Sequence, residues 1–142
     1  MSLEQARSFE RATSLEQVVT RPDPYAPFLL SQAIKANGFV FVSGQAAIGD
    51  DGELVGEGDF DRQAEQAFRN LDRALKAAGS GLDRIVKVTI FLRSMENFAK
   101  IIELRRKWFS APYPADSIIE VSSLYSPKAL IEIEAIALEG SR

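Results

Sequence analysis

The segment that most restricts the fold is residues 130–138, where two rows of side chains alternate. One row is entirely apolar and consists of Ile131, Ile133, Ala135 and Ala137. The other row is mixed and consists of Glu132, Glu134, Ile136 and Leu138. Because successive side chains of a strand lie on opposite faces of its sheet, this pattern predicts a strand with one apolar face. We expect helices to cover that face.

Two predicted helices can provide this cover. The first begins after Asp59, a favourable N-cap, and ends before Gly79, which adopts a left-handed conformation easily. Its apolar face is formed by Phe60, Ala64, Ala67, Phe68, Leu71, Ala74, Leu75 and Ala78. The second helix is capped by Ser94, with Glu96 near its positive end. One side of this helix carries Phe98, Ile101, Ile102, Arg105, Trp108 and Phe109.

The remaining strands complete a single domain. A hairpin joins residues 31–36 to 39–43 around Asn37-Gly38, because both turn positions tolerate positive φ. Further strands are predicted over residues 85–92, 117–124 and 130–138. This order predicts one α+β domain over residues 28–142, a mixed sheet with both helices on one face. Residues 1–27 are expected to form an N-terminal arm, with Val18-Val19 adding a short strand.

The second face of this sheet is partly apolar. Its apolar members are Ile85, Phe91, Ile136 and Leu138. A monomer rarely exposes such a patch, so we expect a subunit interface, and a solvated face with scattered apolar residues is the alternative. Glu132 on this face would be partly desolvated, as functional carboxylates often are. A structural ion pair of Glu132 with Lys87 or an arginine is an equally good interpretation.

Composition limits the kinds of catalytic and binding site that the chain can form. The chain contains no Cys and no His, which excludes thiolate nucleophiles, Ser-His-Asp triads, and imidazole or thiolate metal sites. A formal net charge of −3 argues against nucleic acid as a partner. No apolar stretch reaches the roughly 18 residues of a membrane span, and no secretory signal is recognisable. We therefore expect a cytoplasmic protein that has no membrane contact.

Four motifs together are similar to those of a known family. They are Val42-Ser43-Gly44-Gln45, Ala77-Ala78-Gly79-Ser80 followed by Leu82-Asp83, Pro114-Ala115, and the strand segment 131–137. In their order and spacing, from Ser31 to Leu138, they resemble the RidA family, also called YjgF or endoribonuclease L-PSP-like.

The resemblance implies a chorismate-mutase-like fold and a homotrimer whose three sheets line an inner barrel. Ligand pockets would then lie at the clefts between subunits. Members of the family deaminate reactive 2-imino and enamine acids to 2-keto acids and ammonia, using an ordered water and no metal or organic cofactor. Carried over to this chain, Glu132 is the residue that positions the water or transfers protons. The backbone of Ser43 and Gly44 falls on the segment that lines the pocket.

The chain departs from the family where the substrate carboxylate binds. Active deaminases carry an arginine in Pro-Ala-Arg-Ser, which makes a two-pronged contact with that carboxylate. Here the same segment reads Pro114-Ala115-Asp116-Ser117. Ile118 aligns with a pocket cysteine, Ile102 with an asparagine, and Leu30 with the pocket tyrosine, although Tyr25 lies nearby. The resemblance therefore implies a divergent member that lacks the substrate-binding arginine.

Asp116 reverses the charge of the arginine that it replaces, and the alternation of side chains along the strand predicts which face it occupies. It predicts that Asp116 and Ile118 share one face, while Ile119 and Val121 suit the helix-covered face. In the family geometry, Asp116 and Glu132 would then both approach the pocket. Two carboxylates in one pocket would repel an anionic acid.

Three functions remain open. The first is a divergent deaminase-like or hydrolase-like protein that binds a neutral or cationic metabolite, with Glu132 as acid–base and Asp116 as anchor. The second is a 2-iminobutanoate/2-iminopropanoate deaminase whose cation is Arg105, which the helical stripe places nearer the sheet than Arg106. The third is a non-catalytic module that binds a metabolite.

Overall fold

A computed structural model describes residues 1–140 of the chain, and the side chains of residues 9–13 lie outside this description. The strands are β1 (Leu15–Val18), β2 (Ala33–Ala36), β3 (Phe39–Gln45), β4 (Ile85–Leu92), β5 (Ala115–Glu120) and β6 (Ile131–Leu138). The α-helices are α1 (Leu3–Thr13), α2 (Phe60–Ala77) and α3 (Phe98–Trp108). Single 3-10 turns occupy Ala26–Phe28, Leu82–Arg84 and Met95–Asn97.

The six strands form one sheet in the order β1-β2-β3-β6-β4-β5. β4 and β5 run parallel, whereas the other neighbouring strands are antiparallel. β6 lies inside the sheet between β3 and β4, and its apolar row is buried as expected. The prediction of a single α+β domain with a mixed sheet is confirmed. No helix in the described part of the chain is long and apolar enough to span a membrane.

Short sequence motifs determine where several strands and helices begin or end. Asn37 and Gly38 both have positive φ, 50° and 81°, in the turn between β2 and β3. The Asp59 side chain accepts a hydrogen bond from the Arg62 backbone N–H at 3.1 Å, which caps α2. Gly79 follows α2 with a φ of 72°. The arm contributes a strand at the edge of the sheet, but this strand covers Leu15–Val18 rather than Val18-Val19.

The start of the second core helix differs slightly from the prediction. Ser94 does act as a cap, but its hydroxyl accepts from the Glu96 backbone N–H at 3.2 Å and closes a 3-10 turn. α3 then begins at Phe98, and its N-cap Asn97 makes no side-chain capping bond. The short spacing between Ser94 and Glu96 favours this tighter turn.

A β-bulge in β4 corrects the predicted composition of the second face. Ile85 pairs with Ala137 and Lys87 pairs with Ile136, so Val86 is the extra residue. Ile85 is therefore in the core with 8% of its surface exposed, whereas Val86 is 43% exposed. The alternation along this segment had placed Ile85 on the second face.

The register of β5 corrects a second expectation. β5 runs from Ala115 to Glu120, earlier than predicted, and Asp116 lies beside Val88 of β4. Since Val88 belongs to the core, Asp116 lies on the helix-covered face together with Ile118. Ile119 lies on the second face, beside its register partner Phe91 of β4, and is exposed. The apolar character of Ile119 had suggested the opposite arrangement.

Candidate functional site

Glu132 lies where strand β3 leaves its regular register with β6. Val42 pairs with Ala135 and Gln45 with Ile133, so two residues of β3 face one of β6. The extra residue in this bulge lies in the Ser43-Gly44 segment, close to Glu132. A Cβ atom on Gly44 would collide with Oε1 of Glu132 and would lie 2.8 Å from its Cδ. Glycine is therefore required here for the Glu132 carboxyl to rest against the β3 backbone.

The environment of Glu132 opposes its negative charge. Burial raises the pKa of the Glu132 carboxyl above its usual range, and the Glu134 carboxylate raises this pKa further. Among the described residues no cation forms an ion pair with Glu132. Lys87, the partner considered for it, instead donates from Nζ to Oγ of Ser117 at 2.7 Å. Glu132 is thus a half-buried carboxyl group that keeps its proton to a higher pH than an exposed one.

Tyr25 joins this carboxyl group at the bulge. Its side chain is buried, and its hydroxyl donates to the carbonyl oxygen of Gly44 at 2.6 Å. Burial raises the pKa of Tyr25 to about 12, so the phenol is neutral at physiological pH. The sequence had placed Leu30 at the pocket-tyrosine position and noted Tyr25 only as a neighbour. The signal that could have selected Tyr25 is its place in the Pro-rich segment 22–27, where a large aromatic side chain has few local contacts of its own.

A cavity of about 410 Å³ opens beside Glu132 and Gly44. Its remaining lining residues are Pro24, Tyr25, Phe28, Leu30, Ala46, Ile48, Gly52 and Tyr125. Glu132 is the single charged residue among them. Ser43 does not line this cavity, and its hydroxyl donates to the carbonyl oxygen of Ser31 at 2.6 Å. Of the site residues predicted from the sequence, the structure brings Glu132 and Gly44 together here.

Buried amides fix the first wall of the cavity, the one that carries Tyr25. The Gln45 side-chain amide donates to Gln32 Oε1 at 3.0 Å, and Gln32 Nε2 donates to the Thr20 hydroxyl at 3.1 Å. All three side chains are buried. They connect the residue that follows Gly44 to the start of the segment that carries Tyr25.

A further buried amide fixes the wall that carries Tyr125. Gln63 of α2 is fully buried, and its amide nitrogen donates to the carbonyl oxygens of Gly56 and Lys128, at 3.2 and 3.0 Å. Its Oε1 accepts from the Leu130 backbone N–H at 2.8 Å. The loop that contains Tyr125 is thereby tied to helix α2.

Asp116 and Arg105 form a separate pair. Nε of Arg105 donates to Oδ2 of Asp116 at 2.8 Å, which joins helix α3 to strand β5. Arg105 does lie nearer the sheet than Arg106, which pairs with Glu103 in solvent. The second carboxylate oxygen of Asp116, Oδ1, is buried and has no hydrogen-bond partner in the described structure.

This pair lies on the other face of the sheet from the cavity. Asp116 is beside Val88 on the core face, whereas Glu132 is beside Phe91 on the second face. Ile118 packs against the core. Within one chain, Asp116, Ile118 and Arg105 therefore do not meet Glu132. The predicted face of Asp116 is therefore wrong. The expectation that Asp116 approaches the pocket of Glu132 concerned a cleft between subunits and stays a prediction.

The site offers no cluster of metal ligands. Among the described residues, no three acidic side chains converge closely enough to hold a metal ion. The chemistry available at the cavity is therefore that of one carboxyl group, two phenols and backbone groups.

Comparison with known proteins places the chain in a family. The family model described as endoribonuclease L-PSP matches residues 18–139. A RutC family protein of Pyrococcus horikoshii is 45% identical over 118 residues, 82% of this chain and 90% of that protein. Reactive Intermediate Deaminase A, chloroplastic, of Arabidopsis thaliana is 42% identical over 123 residues, 86% of this chain and 65% of that protein.

A solved structure agrees with these sequence matches. The crystal structure of yeast Mmf1 superposes with a TM-score of 0.82 at 41% identity, covering 89% of this chain and 99% of that one. The residues matched by the family model include strands β2 to β6 and helices α2 and α3, whereas helix α1 precedes them. The chain therefore belongs to the RidA family, also known as the YjgF or endoribonuclease L-PSP family.

Proposed function

We propose that this protein hydrolyses the C=N bond of a small imine or enamine in the cavity beside Glu132, releasing a carbonyl compound and ammonia. The observation that carries the proposal is the half-buried Glu132 carboxyl, which rests on Gly44 without a cationic partner among the described residues. Burial raises the pKa of this carboxyl, and a carboxyl perturbed in this way is suited to acid–base catalysis. The name of the Arabidopsis relative, a reactive intermediate deaminase, supports the same class of reaction.

In the proposed reaction, the Glu132 carboxylate accepts a proton from a water molecule as its oxygen bonds to the imine carbon. The substrate reacts as its protonated iminium form, so the electron pair of the C=N double bond moves to the nitrogen and neutralises it, and an amino alcohol results. Glu132 then returns its proton to this nitrogen. The C–N bond breaks, the hydroxyl oxygen forms the carbonyl and passes its proton to the departing ammonia, which leaves as ammonium. An enamine first takes a proton on carbon and then follows the same route.

The proposal includes assembly into a homotrimer with the cavities at subunit clefts. What supports it is the second face of the sheet, which neither α2 nor α3 covers and which exposes Phe41, Val86 and Ile119. A neighbouring subunit would cover these side chains. It would also bring the residues of its own strand β5 toward the cavity, where the family places its substrate-binding arginine.

If strand β5 of a neighbouring subunit reaches the cavity, the Arg105–Asp116 ion pair of that subunit would influence which substrates are favoured, since within one chain the pair lies on the other face of the sheet. Asp116 neutralises the arginine that could bind a substrate carboxylate, so we propose that uncharged imines are hydrolysed faster than 2-imino acids. The pair also prevents Asp116 from anchoring a cation by itself, since its charge is already matched. Hydrolysis of 2-imino acids is the second candidate. It is favoured by one observation: the ion pair uses a single N–H of Arg105, and a guanidinium has five.

The test supplies 2-iminobutyrate and its methyl ester, both generated in situ, and follows formation of the carbonyl product. We expect faster turnover of the ester. Glu132→Gln should reduce kcat by about 100-fold or more, in line with the loss of a general acid–base. Glu103→Gln on the surface of α3 is the matched control and should leave the rate unchanged.

Two further variants separate the candidates. If Arg105 binds the carboxylate, Arg105→Ala should lower kcat/KM for the acid about tenfold or more and leave the ester unaffected, because charge-assisted hydrogen bonds contribute roughly 1.5–3 kcal/mol. Asp116→Asn should then speed turnover of the acid. Saturable binding of both compounds without product, unchanged in Glu132→Gln, would show a non-catalytic metabolite-binding module and overturn the hydrolase proposal.

A further inference from the structure

Strand β3 ends beside the cavity in a tight turn. Gln45 is its last residue, and the backbone N–H of Ile48 then donates to the carbonyl oxygen of Ala46 at 2.9 Å. Three-residue turns of this kind are common at the ends of strands. Ala46 and Ile48 both line the cavity, and Gly44, against which the Glu132 carboxyl rests, lies two residues before Ala46. The conformation of this turn therefore sets the position of one cavity wall and of the backbone that supports Glu132.

Asn70 of helix α2 holds this turn. Its side-chain amide nitrogen donates to the carbonyl oxygens of Ala46 and Ile48, at 2.9 and 2.8 Å. Its side-chain oxygen accepts from the amide nitrogen of Gln66, one helical turn earlier, at 2.9 Å. The donors and the acceptor of the Asn70 amide are thus all used within the protein. Asn70 itself does not line the cavity, so any effect it has on a bound molecule must pass through the turn.

Helix α2 provides a fixed support for these bonds, because its apolar face is buried in the core. Arg73, three residues after Asn70, makes a second attachment to the same region. Its guanidinium donates to Oδ1 of Asp50 at 2.8 Å and also to the carbonyl oxygen of Pro22, in the segment that leads to Tyr25. Of these two attachments, only the one made by Asn70 reaches residues that line the cavity.

We propose that Asn70 is a positioning residue of the cavity, which holds the turn at residues 46–48 and, through it, the Gly44 backbone against the Glu132 carboxyl. An amide suits this role because its single nitrogen carries two N–H donors, one for each carbonyl oxygen. Aspartate has the same shape but no donor when it is ionised, and leucine has a similar size but no polar group. The inference rests on the proposed function for its kinetic readout alone.

Hydrogen exchange tests the hold on the turn without any ligand. Asn70→Leu removes the donors without adding a charge, and Asn70→Asp removes them while keeping the shape of the side chain. The backbone N–H groups of Ile48 and Val55 donate to the carbonyl oxygens of Ala46 and Ala47. In both variants, exchange at these two amides, measured by NMR on the full-length protein, should accelerate about tenfold or more, because the turn opens more often. Exchange in strand β4 should stay as in the wild type.

The ionisation of Glu132 tests whether the turn positions the carboxyl. In Asn70→Leu, the pKa of the Glu132 carboxyl, followed by NMR, should fall toward its usual range. A carboxyl released from the Gly44 backbone is more exposed to water, and burial is the main cause of its raised pKa. A side chain that only stabilised the fold would leave this pKa unchanged.

The kinetic readout is the turnover of the methyl ester of 2-iminobutyrate. Both Asn70 variants should lower kcat/KM about 100-fold, the size of effect that a displacement of roughly 1 Å at a reacting centre produces. Asn97→Asp is the matched control, since Asn97 makes no side-chain capping bond at the start of α3 and does not line the cavity. This control should leave the exchange rates, the pKa of Glu132 and kcat/KM unchanged.

The outcomes separate this inference from the proposed function. Faster exchange at the turn and a lower pKa of Glu132, without turnover by the wild type, would support the positioning role and overturn the proposed hydrolysis. Faster exchange alone, with the pKa of Glu132 and kcat/KM as in the wild type, would show that Asn70 only stabilises the turn, and would overturn the inference while leaving hydrolysis in place. The same changes in Asn97→Asp as in Asn70→Asp would also contradict the inference.

Discussion

At the scale of single residues, Glu132 is held in a state that an exposed glutamate does not adopt. Burial and the Glu134 carboxylate both raise its pKa, and no ion pair with another described residue offsets them. Gly44 permits this placement, since any side chain there would displace the carboxyl. A group held in this way is suited to proton transfer, and it makes the folded protein less stable when it ionises.

This instability leads to a prediction about pH. Because the folded-state pKa of Glu132 is raised, its contribution to stability is fully present below the unfolded pKa and is lost as pH rises through the folded pKa. Glu132→Gln, which cannot ionise, should therefore gain stability relative to the wild type between about pH 4 and pH 8. Urea unfolding at both pH values measures the difference. Glu103→Gln serves as the control, and a wild-type-to-Glu132→Gln difference that is independent of pH would contradict the prediction.

At the scale of elements, the two walls of the cavity come from segments that lack regular structure. Each is fixed by a buried amide rather than by a strand or helix. Gln45 and Gln32 connect β3 to the Tyr25 segment, and Gln63 connects α2 to the loop that carries Tyr125. Such satisfied polar networks in a core specify one arrangement of loops, because an unpaired buried group is expensive.

Gln63→Leu tests this role. The substitution leaves the Leu130 N–H and the Gly56 and Lys128 carbonyl oxygens without their side-chain partner, at a cost of about 1–3 kcal/mol for a buried unsatisfied group. We expect lower stability and a raised KM with a smaller change in kcat, since the Tyr125 wall shifts while Glu132 remains in place. The control is Gln17→Leu, the same substitution at an exposed glutamine of β1 that does not line the cavity. Equal effects of the two substitutions on KM would exclude a positioning role.

Elements defined by short-range signals could be predicted from the sequence. The Asn37-Gly38 turn, the Asp59 cap and the apolar face of α2 depend on residues close in the chain, and all three are confirmed. The bulge at Val86 depends on how β4 meets β6, which no local pattern encodes. The predicted face of Ile85, at the start of β4, is therefore wrong.

The face of Asp116 could not be predicted for a related reason. β5 is an edge strand parallel to β4, and its register places the charged residue toward the core and Ile119 toward the outside. Hydrophobicity alone favours the reverse. The Arg105 side chain from α3 makes the observed arrangement tolerable, because a half-buried carboxylate needs a cation and hydrogen bonds. Tyr25 was missed because its contact with Gly44 joins residues 19 positions apart.

At the scale of the whole molecule, the two faces of the sheet differ in how far they are covered and buried. Helices α2 and α3 lie over the face formed by Val88, Ile133 and their neighbours, and that face is buried. The second face has no helix over it within the described chain, and Phe41 there is 45% exposed. An apolar side chain in the middle of a strand is a natural contact for another copy of the chain. The proposed trimer would bury it.

Phe41→Glu tests this assembly. A charge in the proposed interface would have to be buried without a partner, so the variant should dissociate into monomers at concentrations where the wild type is trimeric. Because Phe41 is exposed within one chain, the fold and the circular dichroism spectrum should be unchanged. Phe98→Glu introduces the same charge at a similarly exposed phenylalanine on α3 and should remain trimeric. Analytical ultracentrifugation measures the mass of all three proteins. A trimeric Phe41→Glu variant would show that the interface lies elsewhere. A monomeric wild type would exclude the proposed assembly, and the substrate cleft would then have to be completed within one chain.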